Sequence, residues 1–126
     1  MIAYLDTNTV IWLAQGSLDG ISPKADRLLK HADLLFSPMV LIELEYLYEI
    51  KRIKRTARDI QIKVEHDLGV RLCDLPFSTV ASAALDEKWT RDPFDRLIVA
   101  NAKANGFAWL ISADEEIARH YQRTVW

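Results

Sequence analysis

Short apolar runs alternate with longer amphipathic segments along the whole chain. The runs are short enough for buried strands, whereas the longer segments carry apolar residues at helical spacing. Serine, proline and glycine mark most of the boundaries between them. The pattern predicts strands at 2–5, 34–36, 70–73 and 108–111, an edge strand at 124–126, and helices at 7–15, 23–31, 38–50, 56–68, 76–86, 93–105 and 113–121.

Three helix starts are marked by a capping residue followed by proline. Ser22-Pro23, Ser37-Pro38 and Asp92-Pro93 each place an oxygen-bearing side chain before a proline at the first helical position. Gly69 and Gly106 stand where two of the helices should stop. Strands that alternate with helices predict a parallel sheet of four to five strands, covered by helices on both faces.

The length of 126 residues predicts one domain, spanning 1–126, with one core. Half of the residues are hydrophobic and no run approaches the roughly 20 apolar residues needed to cross a bilayer. The first residues lack the pattern of a secretory signal. Cys73 is the only cysteine, which excludes an internal disulfide and a cysteine-rich zinc site. A reducing, cytoplasmic setting is expected.

The net charge of −2 does not by itself indicate a nucleic-acid binder. The distribution of charge is more informative, because basic residues are dense in one place. This basic segment has two open interpretations, a contact with RNA phosphates or a solvated helix end. It consists of Lys51, Arg52, Lys54, Arg55 and Arg58.

Two aspartates follow predicted strands. Asp6 comes directly after the first strand and Asp114 three residues after the fourth. In open parallel sheets, ligands bind beyond the carboxyl ends of the strands, so both are candidate site residues. Each also has a structural interpretation. Asp6 would favour the positive end of the next helix, and a capping box of Ser112 and Glu115 would leave Asp114 in an acidic first turn.

Three further acids accompany them. Asp92 caps the helix that Pro93 begins, and Asp95 falls in its first turn, which accounts for both without any chemistry. Glu43 lies at the margin of the apolar face of its helix, between Leu47 and Ile50 on a wheel of about 100° per residue. A carboxylate in that position is costly unless it is paired or binds a metal, so a functional role is favoured for Glu43.

Four segments together form a recognisable pattern: YLDTN at 4–8, SPMVLIEL at 37–44, RDPFDRLIVA at 91–100 and LISAD at 110–114. They resemble PIN domains and, more narrowly, the VapC toxins of bacterial and archaeal toxin–antitoxin pairs. The resemblance covers essentially the whole chain. The Asp-Pro-Phe-Asp-Arg run is the most specific part, and Ser112 stands where the family often has threonine.

The resemblance implies a metal-dependent endoribonuclease whose acidic quartet is Asp6, Glu43, Asp95 and Asp114, with Asp92 as an additional acid. A cluster of carboxylates would repel an anionic phosphodiester, so it requires a cation, and hard oxygen ligands suit Mg²⁺ or Mn²⁺. Asp6 and Asp95 are then expected as principal ligands, Glu43 as ligand or base, and Asp114 as ligand to a second ion or to a water on the metal. Supporting hydrogen bonds would come from Thr7 and Ser112. Arg96 is interpreted as a phosphate contact or an ordinary surface ion pair.

The expected partners are an RNA substrate and a cognate antitoxin. The helices after Thr7 and Ser37 carry more apolar surface than so small a monomer easily buries. A homodimer is therefore predicted, with a groove for an apolar antitoxin helix and a basic antitoxin residue reaching the carboxylates. The candidate contacts are Trp12, Leu13, Tyr46 and Tyr48.

Three other functions remain as alternatives. A haloacid dehalogenase-like phosphatase needs a second aspartate two positions after Asp6, where this chain has Asn8, and a late lysine with no clear candidate. A structure-specific DNA nuclease with a PIN-like core usually carries extensions for which 126 residues leave no room. An inert PIN-like binding module would gain nothing from clustered, mutually repelling carboxylates.

Overall fold

The computed structural model describes all 126 residues, which form seven helices and a five-stranded sheet. The predicted strands and helices are all present. In chain order the elements are β1 (Ile2–Leu5), α1 (Thr7–Gln15), α2 (Pro23–His31), β2 (Asp33–Phe36), α3 (Pro38–Glu49), α4 (Ala57–Leu68), β3 (Arg71–Leu72), α5 (Phe77–Ala84), α6 (Pro93–Ala104), β4 (Trp109–Ile111), α7 (Glu115–His120) and β5 (Thr124–Val125).

All neighbouring strands of the sheet are parallel, in the order β3-β2-β1-β4-β5. Leu5 at the end of β1 is in register with Phe36 of β2 and with Ile111 of β4. The first three strands are added in one direction and the last two in the other, so the strand order reverses between β1 and β4. Such a reversal opens a crevice at the carboxyl ends of the strands, where open α/β sheets bind ligands.

Side-chain caps begin six of the seven helices. The capping oxygens accept hydrogen bonds from backbone amides of the first turn, which have no partner inside the helix. The predicted caps Ser22 and Ser37 are confirmed, and Thr56 is a further one. The full set is Asp6, Ser22, Ser37, Thr56, Asp92 and Asp114.

The third strand and the last helix differ from their predicted bounds. The strand predicted at 70–73 pairs only at Arg71 and Leu72, since it lies at the edge of the sheet with both side chains exposed. The last helix begins at Glu115 because Asp114, not Ser112, accepts the first-turn amides of Glu116 and Ile117. The predicted capping box of Ser112 and Glu115 is therefore wrong.

The core is built on the central strands of the sheet. Tyr4 and Leu5 of β1, Phe36 of β2 and Leu110 of β4 are fully buried, and α3 adds Val40. Central parallel strands are covered on both faces, which explains why β1 and β4 read as uninterrupted apolar runs. None of the helices has the length and apolar character needed to cross a membrane.

Candidate active site

Asp6 lies in the crevice between the two central strands. Its backbone amide donates to the carbonyl oxygen of Ile111 at the end of β4, at 3.3 Å, which ties the end of β1 to the end of β4. Only 7% of Asp6 is exposed. Its carboxylate is thus held at the carboxyl edge of the sheet, the edge where the parallel strands end.

Three donors surround the Asp6 carboxylate. Thr9 contributes its backbone amide, 2.9 Å from Oδ1, and its hydroxyl, 2.7 Å from the same oxygen. The hydroxyl of Ser112 donates to Oδ2. Burial raises the pKa of Asp6, the hydrogen bonds from Ser112 and Thr9 oppose that rise, and the charge of Asp114 adds to it. Thr9 was not predicted as a site residue, although a threonine three positions after a capping aspartate is a visible signal.

Glu43 reaches the crevice from α3. The residue is half-buried, and its Oε1 accepts a hydrogen bond of 2.5 Å from the hydroxyl of Thr7, the first residue of α1. Burial raises the pKa of Glu43, the Thr7 hydrogen bond lowers it, and the charges of Asp92 and Asp6 raise it again. Glu43 is therefore hydrogen-bonded to Thr7 and lies within electrostatic reach of Asp92 and Asp6.

Asp92 and Asp95 enter the site at the start of α6. Asp92 is exposed and caps the helix, with Oδ1 2.8 Å from the amide nitrogen of Phe94 and 3.2 Å from that of Asp95. Asp95 is half-buried, and its carboxylate accepts no hydrogen bond within the protein. Burial raises the pKa of Asp95 to about 7, helped by the charges of Asp92, Asp114, Glu43 and Asp6. Asp92 thus serves the helix directly, whereas Asp95 faces the other acids.

Asp114 completes the group from the start of α7. Asp114 is half-buried, and its Oδ1 caps α7. Its second carboxylate oxygen has no partner in the protein. Its amide donates to the Ser112 hydroxyl at 3.1 Å, and that hydroxyl bonds Asp6. Ser112 therefore connects the carboxylate of Asp6 to the backbone of Asp114 through one side chain.

These five carboxylates, the acidic cluster, have no positive partner. Each of the four other acids raises the pKa of Asp95, which requires all of them to lie within electrostatic reach of it. None of the five forms an ion pair with lysine, arginine or histidine. The members are Asp6, Glu43, Asp92, Asp95 and Asp114.

The acidic cluster suits a hard divalent cation in its donor chemistry. As the side chains stand, no group of three or more His, Cys, Asp or Glu residues has the geometry to hold a metal ion. Mg²⁺ does not require such a group, because it commonly binds through one or two carboxylates and keeps several waters. The raised pKa values of Asp6, Glu43 and Asp95 mark carboxylates whose negative charge no group of the protein neutralises. A divalent cation would neutralise that charge.

Arg96 does not form the surface ion pair that was one of its two interpretations, and the phosphate contact stays a prediction. Its Nε donates to the carbonyl oxygen of Ala84 at 2.7 Å, and Nη2 to that of Leu85 at 3.3 Å. It forms no ion pair. The side chain caps the carboxyl end of α5 and joins it to α6.

The predicted basic segment is exposed and lies apart from the acidic cluster. It occupies the α3–α4 connection and the first turn of α4, and none of its members is ion-paired. Arg52, Lys54 and Arg55 border a cavity of about 670 Å³ beside Ala14 and Gln15, at the far end of α1 from Asp6. At 1.5 Å per residue, α1 separates this cavity from Asp6 by roughly 12 Å.

A buried ion pair that the sequence did not predict holds the segment before α6. Glu87 is 3% exposed, and its Oε2 lies 2.8 Å from Nζ of Lys103 on α6. Trp89 donates to Glu87 Oε1 at 3.2 Å and stacks on the ring of His120 of α7, with centroids 4.9 Å apart. The Asp-Glu-Lys run around Glu87 looks like an ordinary solvated turn, so no local signal marks this pair.

The predicted partner-binding aromatics fall into two groups. Tyr46 is 48% exposed with its ring 6.0 Å from that of Phe94, beside Asp95, and Tyr48 is 38% exposed. Trp12 is instead partly covered by Trp126, with ring centroids 5.2 Å apart, and Leu13 is also partly buried. Of the four predicted contacts, the two on α3 are therefore the more exposed.

Solved toxin–antitoxin structures share this fold. The chain is similar to a chain of VapBC2 from Rickettsia felis bound to a DNA fragment from its promoter, with a TM-score of 0.65, 20% identity, and coverage of 99% of this chain and 96% of that one. A chain of a toxin–antitoxin complex from Klebsiella pneumoniae has a TM-score of 0.66 and 16% identity, with coverage of 98% of this chain and 96% of that one. A chain of VapBC-1 from nontypeable Haemophilus influenzae has a TM-score of 0.63 and 20% identity, with coverage of 100% of this chain and 96% of that one.

The sequence comparison gives the family directly. No curated protein is significantly similar to the chain in sequence. The model of the PIN domain, however, matches residues 3–122, which include every member of the acidic cluster. The fold, the crevice between β1 and β4 and this match agree, and the chain belongs to the PIN-domain family.

Proposed function

We propose that this protein is a metal-dependent endoribonuclease and the toxin of a type II toxin–antitoxin pair. The observation that carries the proposal is the acidic cluster, in which carboxylates from four parts of the chain lie within electrostatic reach of Asp95 and none of them forms an ion pair. Keeping such charges together costs folding free energy. A bound divalent cation would remove that cost and serve a phosphodiester substrate.

The residues of the cluster divide the work by their environments. Asp6 is fixed by Thr9 and Ser112, and Asp95 has both oxygens free, so these two would hold Mg²⁺ or Mn²⁺. Bound there, the ion would activate a water for in-line attack and neutralise charge on the leaving oxygen. Glu43, oriented by Thr7, would bind the ion or accept the proton of the attacking water. Asp114 and Asp92 would serve as supporting ligands through the carboxylate oxygen that does not cap a helix.

The antitoxin assignment rests on two observations. The fold matches chains of solved toxin–antitoxin complexes over nearly their whole length. The exposed aromatic face of α3, with Tyr46 and Tyr48, is apolar surface that a partner would cover. We therefore propose a cytoplasmic homodimer that binds an apolar antitoxin helix. A protein that stays monomeric and does not bind the product of its neighbouring gene would contradict this assignment.

The basic segment is proposed to bind the RNA backbone. Its five cations are exposed and carry no carboxylate partner, so they are available to phosphates. Neutralising two of them should reduce the salt dependence of RNA binding by about 0.7 log unit per lost contact. An unchanged dependence would show that the segment is only a solvated connection.

The decisive experiment is expression without the antitoxin, followed by sequencing of the RNA ends. The wild type should arrest growth and cut RNA at defined positions, whereas Asp6→Asn and Asp95→Asn should do neither. Asp19→Asn, which removes an exposed carboxylate outside the cluster, is the matched control and should arrest growth as the wild type does. Growth arrest by a folded Asp6→Asn protein would refute the assignment of the site, and cleavage of DNA in place of RNA would refute the substrate.

A further inference from the structure

A second charged region lies at the amino edge of the sheet, the edge where the parallel strands begin. A cleft of about 500 Å³ lies there between α2, Met1 and Trp109, the first residue of β4. We call it the amino-edge cleft. Its ionisable side chains are all of the basic type, and comprise Lys24, Arg27 and His31. These three occupy positions i, i+3 and i+7 of α2, which share one face of a helix.

The cations of this region are not neutralised by the protein. Lys24 and Arg27 form no ion pair, and neither does Arg123. Lys24 Nζ lies 3.8 Å from the centre of the Trp109 ring, and Arg123 Cζ lies 5.4 Å from the same ring. An aromatic ring orients a cation without cancelling its charge. The ring therefore holds two positive groups in place with their charge intact.

Two acids lie near the cleft, and neither lines it. Asp26 of α2 is paired with Lys30 at 2.8 Å. Asp33 begins β2 at the same edge, but it is exposed and does not line the cleft. An anion entering the amino-edge cleft would therefore meet basic side chains and an aromatic wall.

The two edges of the sheet have opposite charge. The carboxyl edge holds the acidic cluster, which repels RNA until a cation is bound, and the whole chain carries a net charge of −2. RNA must consequently be held by local patches of positive charge. Resting on the proposed ribonuclease function, we propose that the amino-edge cleft is a second RNA-binding site, which holds backbone phosphates of an RNA whose cleavage point lies at the acidic cluster. Arg27 supplies a guanidinium group, which pairs with phosphate through two parallel hydrogen bonds.

This placement sets a minimum length for the RNA. A strand of four residues such as β1 spans about 13 Å, so the cleft and the cluster lie on opposite sides of the protein body. A dinucleotide contacts one edge only. A long RNA contacts both, and the cleft then selects long RNAs over short ones.

Salt titration of RNA binding tests the proposal. Fluorescence anisotropy would be measured with labelled polyuridylate and labelled diuridylate, in EDTA so that cleavage does not interfere. Lys24→Gln/Arg27→Gln should bind polyuridylate more weakly and reduce the slope of log affinity against log salt by about 1.4, or 0.7 for each contact. Diuridylate is too short to reach both edges, so the wild type should bind it much more weakly than polyuridylate, and the difference between the two RNAs should shrink in the double variant. Arg27→Lys, which keeps the charge, should preserve most of the slope that Arg27→Gln loses.

The matched control is Arg71→Gln/Lys88→Gln, which removes the same charge from exposed, unpaired positions outside the cleft. Equal slopes for both double variants and the wild type would overturn the proposal, as would an equal loss in both. Lys24 and Arg27 are exposed, so the variants should melt like the wild type. Because binding is measured without cleavage, a wild type that binds polyuridylate but cuts no RNA would refute the proposed function and leave the cleft standing.

Discussion

Two carboxylates have opposite surroundings, one in the α5–α6 connection and one in the first turn of α6. Glu87 is almost fully buried, and it is met by Lys103 at 2.8 Å and by Trp89 at 3.2 Å. Asp95 is half-buried, accepts no hydrogen bond, and is surrounded by four other acids. A carboxylate that serves the fold is compensated within the fold, because a buried charge without a partner is costly. The uncompensated one indicates a ligand from outside.

The largest expected effect on stability is at Glu87, the carboxylate that has a partner. Glu87→Gln should lower the free energy of unfolding by about 3 kcal/mol, because it leaves the partly buried ammonium group of Lys103 without its partner. Chemical denaturation would measure it. The double variant Glu87→Met/Lys103→Met removes both charges and should recover most of the loss. A harmless Glu87→Gln would mean that compensation does not distinguish the two carboxylates.

Metal binding at the acidic cluster, to which Asp95 belongs, should stabilise the protein by a slightly smaller amount. An ion that binds only the folded state adds about 2.7 kcal/mol at one hundred times its dissociation constant. Mg²⁺ or Mn²⁺ should therefore raise the melting temperature of metal-free protein, and Na⁺ at matched ionic strength should do much less. Equal responses to Na⁺ and Mn²⁺ would argue against a metal site.

Asp95→Asn should stabilise the metal-free protein, in contrast to Glu87→Gln. Folding raises the pKa of Asp95 from 3.8 to about 7, so the folded state binds a proton more tightly than the unfolded state. The cost of ionising Asp95 is therefore absent below about pH 4, grows between pH 4 and 7, and is complete above pH 7. After allowance for solvent screening, the gain at pH 8 should be about 1–2 kcal/mol.

Melting curves of Asp95→Asn and the wild type at pH 4, 6 and 8 would test this dependence. The gain should be largest at pH 8 and almost absent at pH 4, and the variant should respond less to Mn²⁺. If Asp95 served only the first turn of α6, its replacement would instead lower the melting temperature at pH 8.

The smallest expected effect concerns Arg96, whose neighbour Asp95 belongs to the site. Arg96→Lys keeps the charge but loses the two-pronged contact with the carbonyl oxygens of Ala84 and Leu85, which should cost about 1 kcal/mol. The salt dependence of RNA binding should not change, because Arg96 is engaged with α5. A reduced salt slope in Arg96→Gln without loss of stability would restore the phosphate interpretation.

Local rules were sufficient for much of the fold. A cap bonds amides two or three residues away, so Ser22, Ser37 and Asp92 could be identified within a few neighbouring residues. The helical wheel was also enough to place Glu43 at the edge of a buried face, since it depends only on spacing. The order of strands and helices followed in the same way from the apolar pattern.

Long-range partners decided what local rules could not. Arg96 bonds carbonyl groups 11 and 12 residues away, and Glu87 pairs with a lysine 16 residues away, and neither neighbourhood hints at these partners. The sequence around Ser112 equally allowed it to cap α7. In the folded protein its hydroxyl donates to Asp6, 106 residues earlier, and Asp114 caps the helix instead. The Ser112 hydroxyl accepts from the amide of Asp114 and donates its one proton to Asp6. The parallel pairing of β1 with β4, which no local pattern encodes, brought Ser112 next to Asp6.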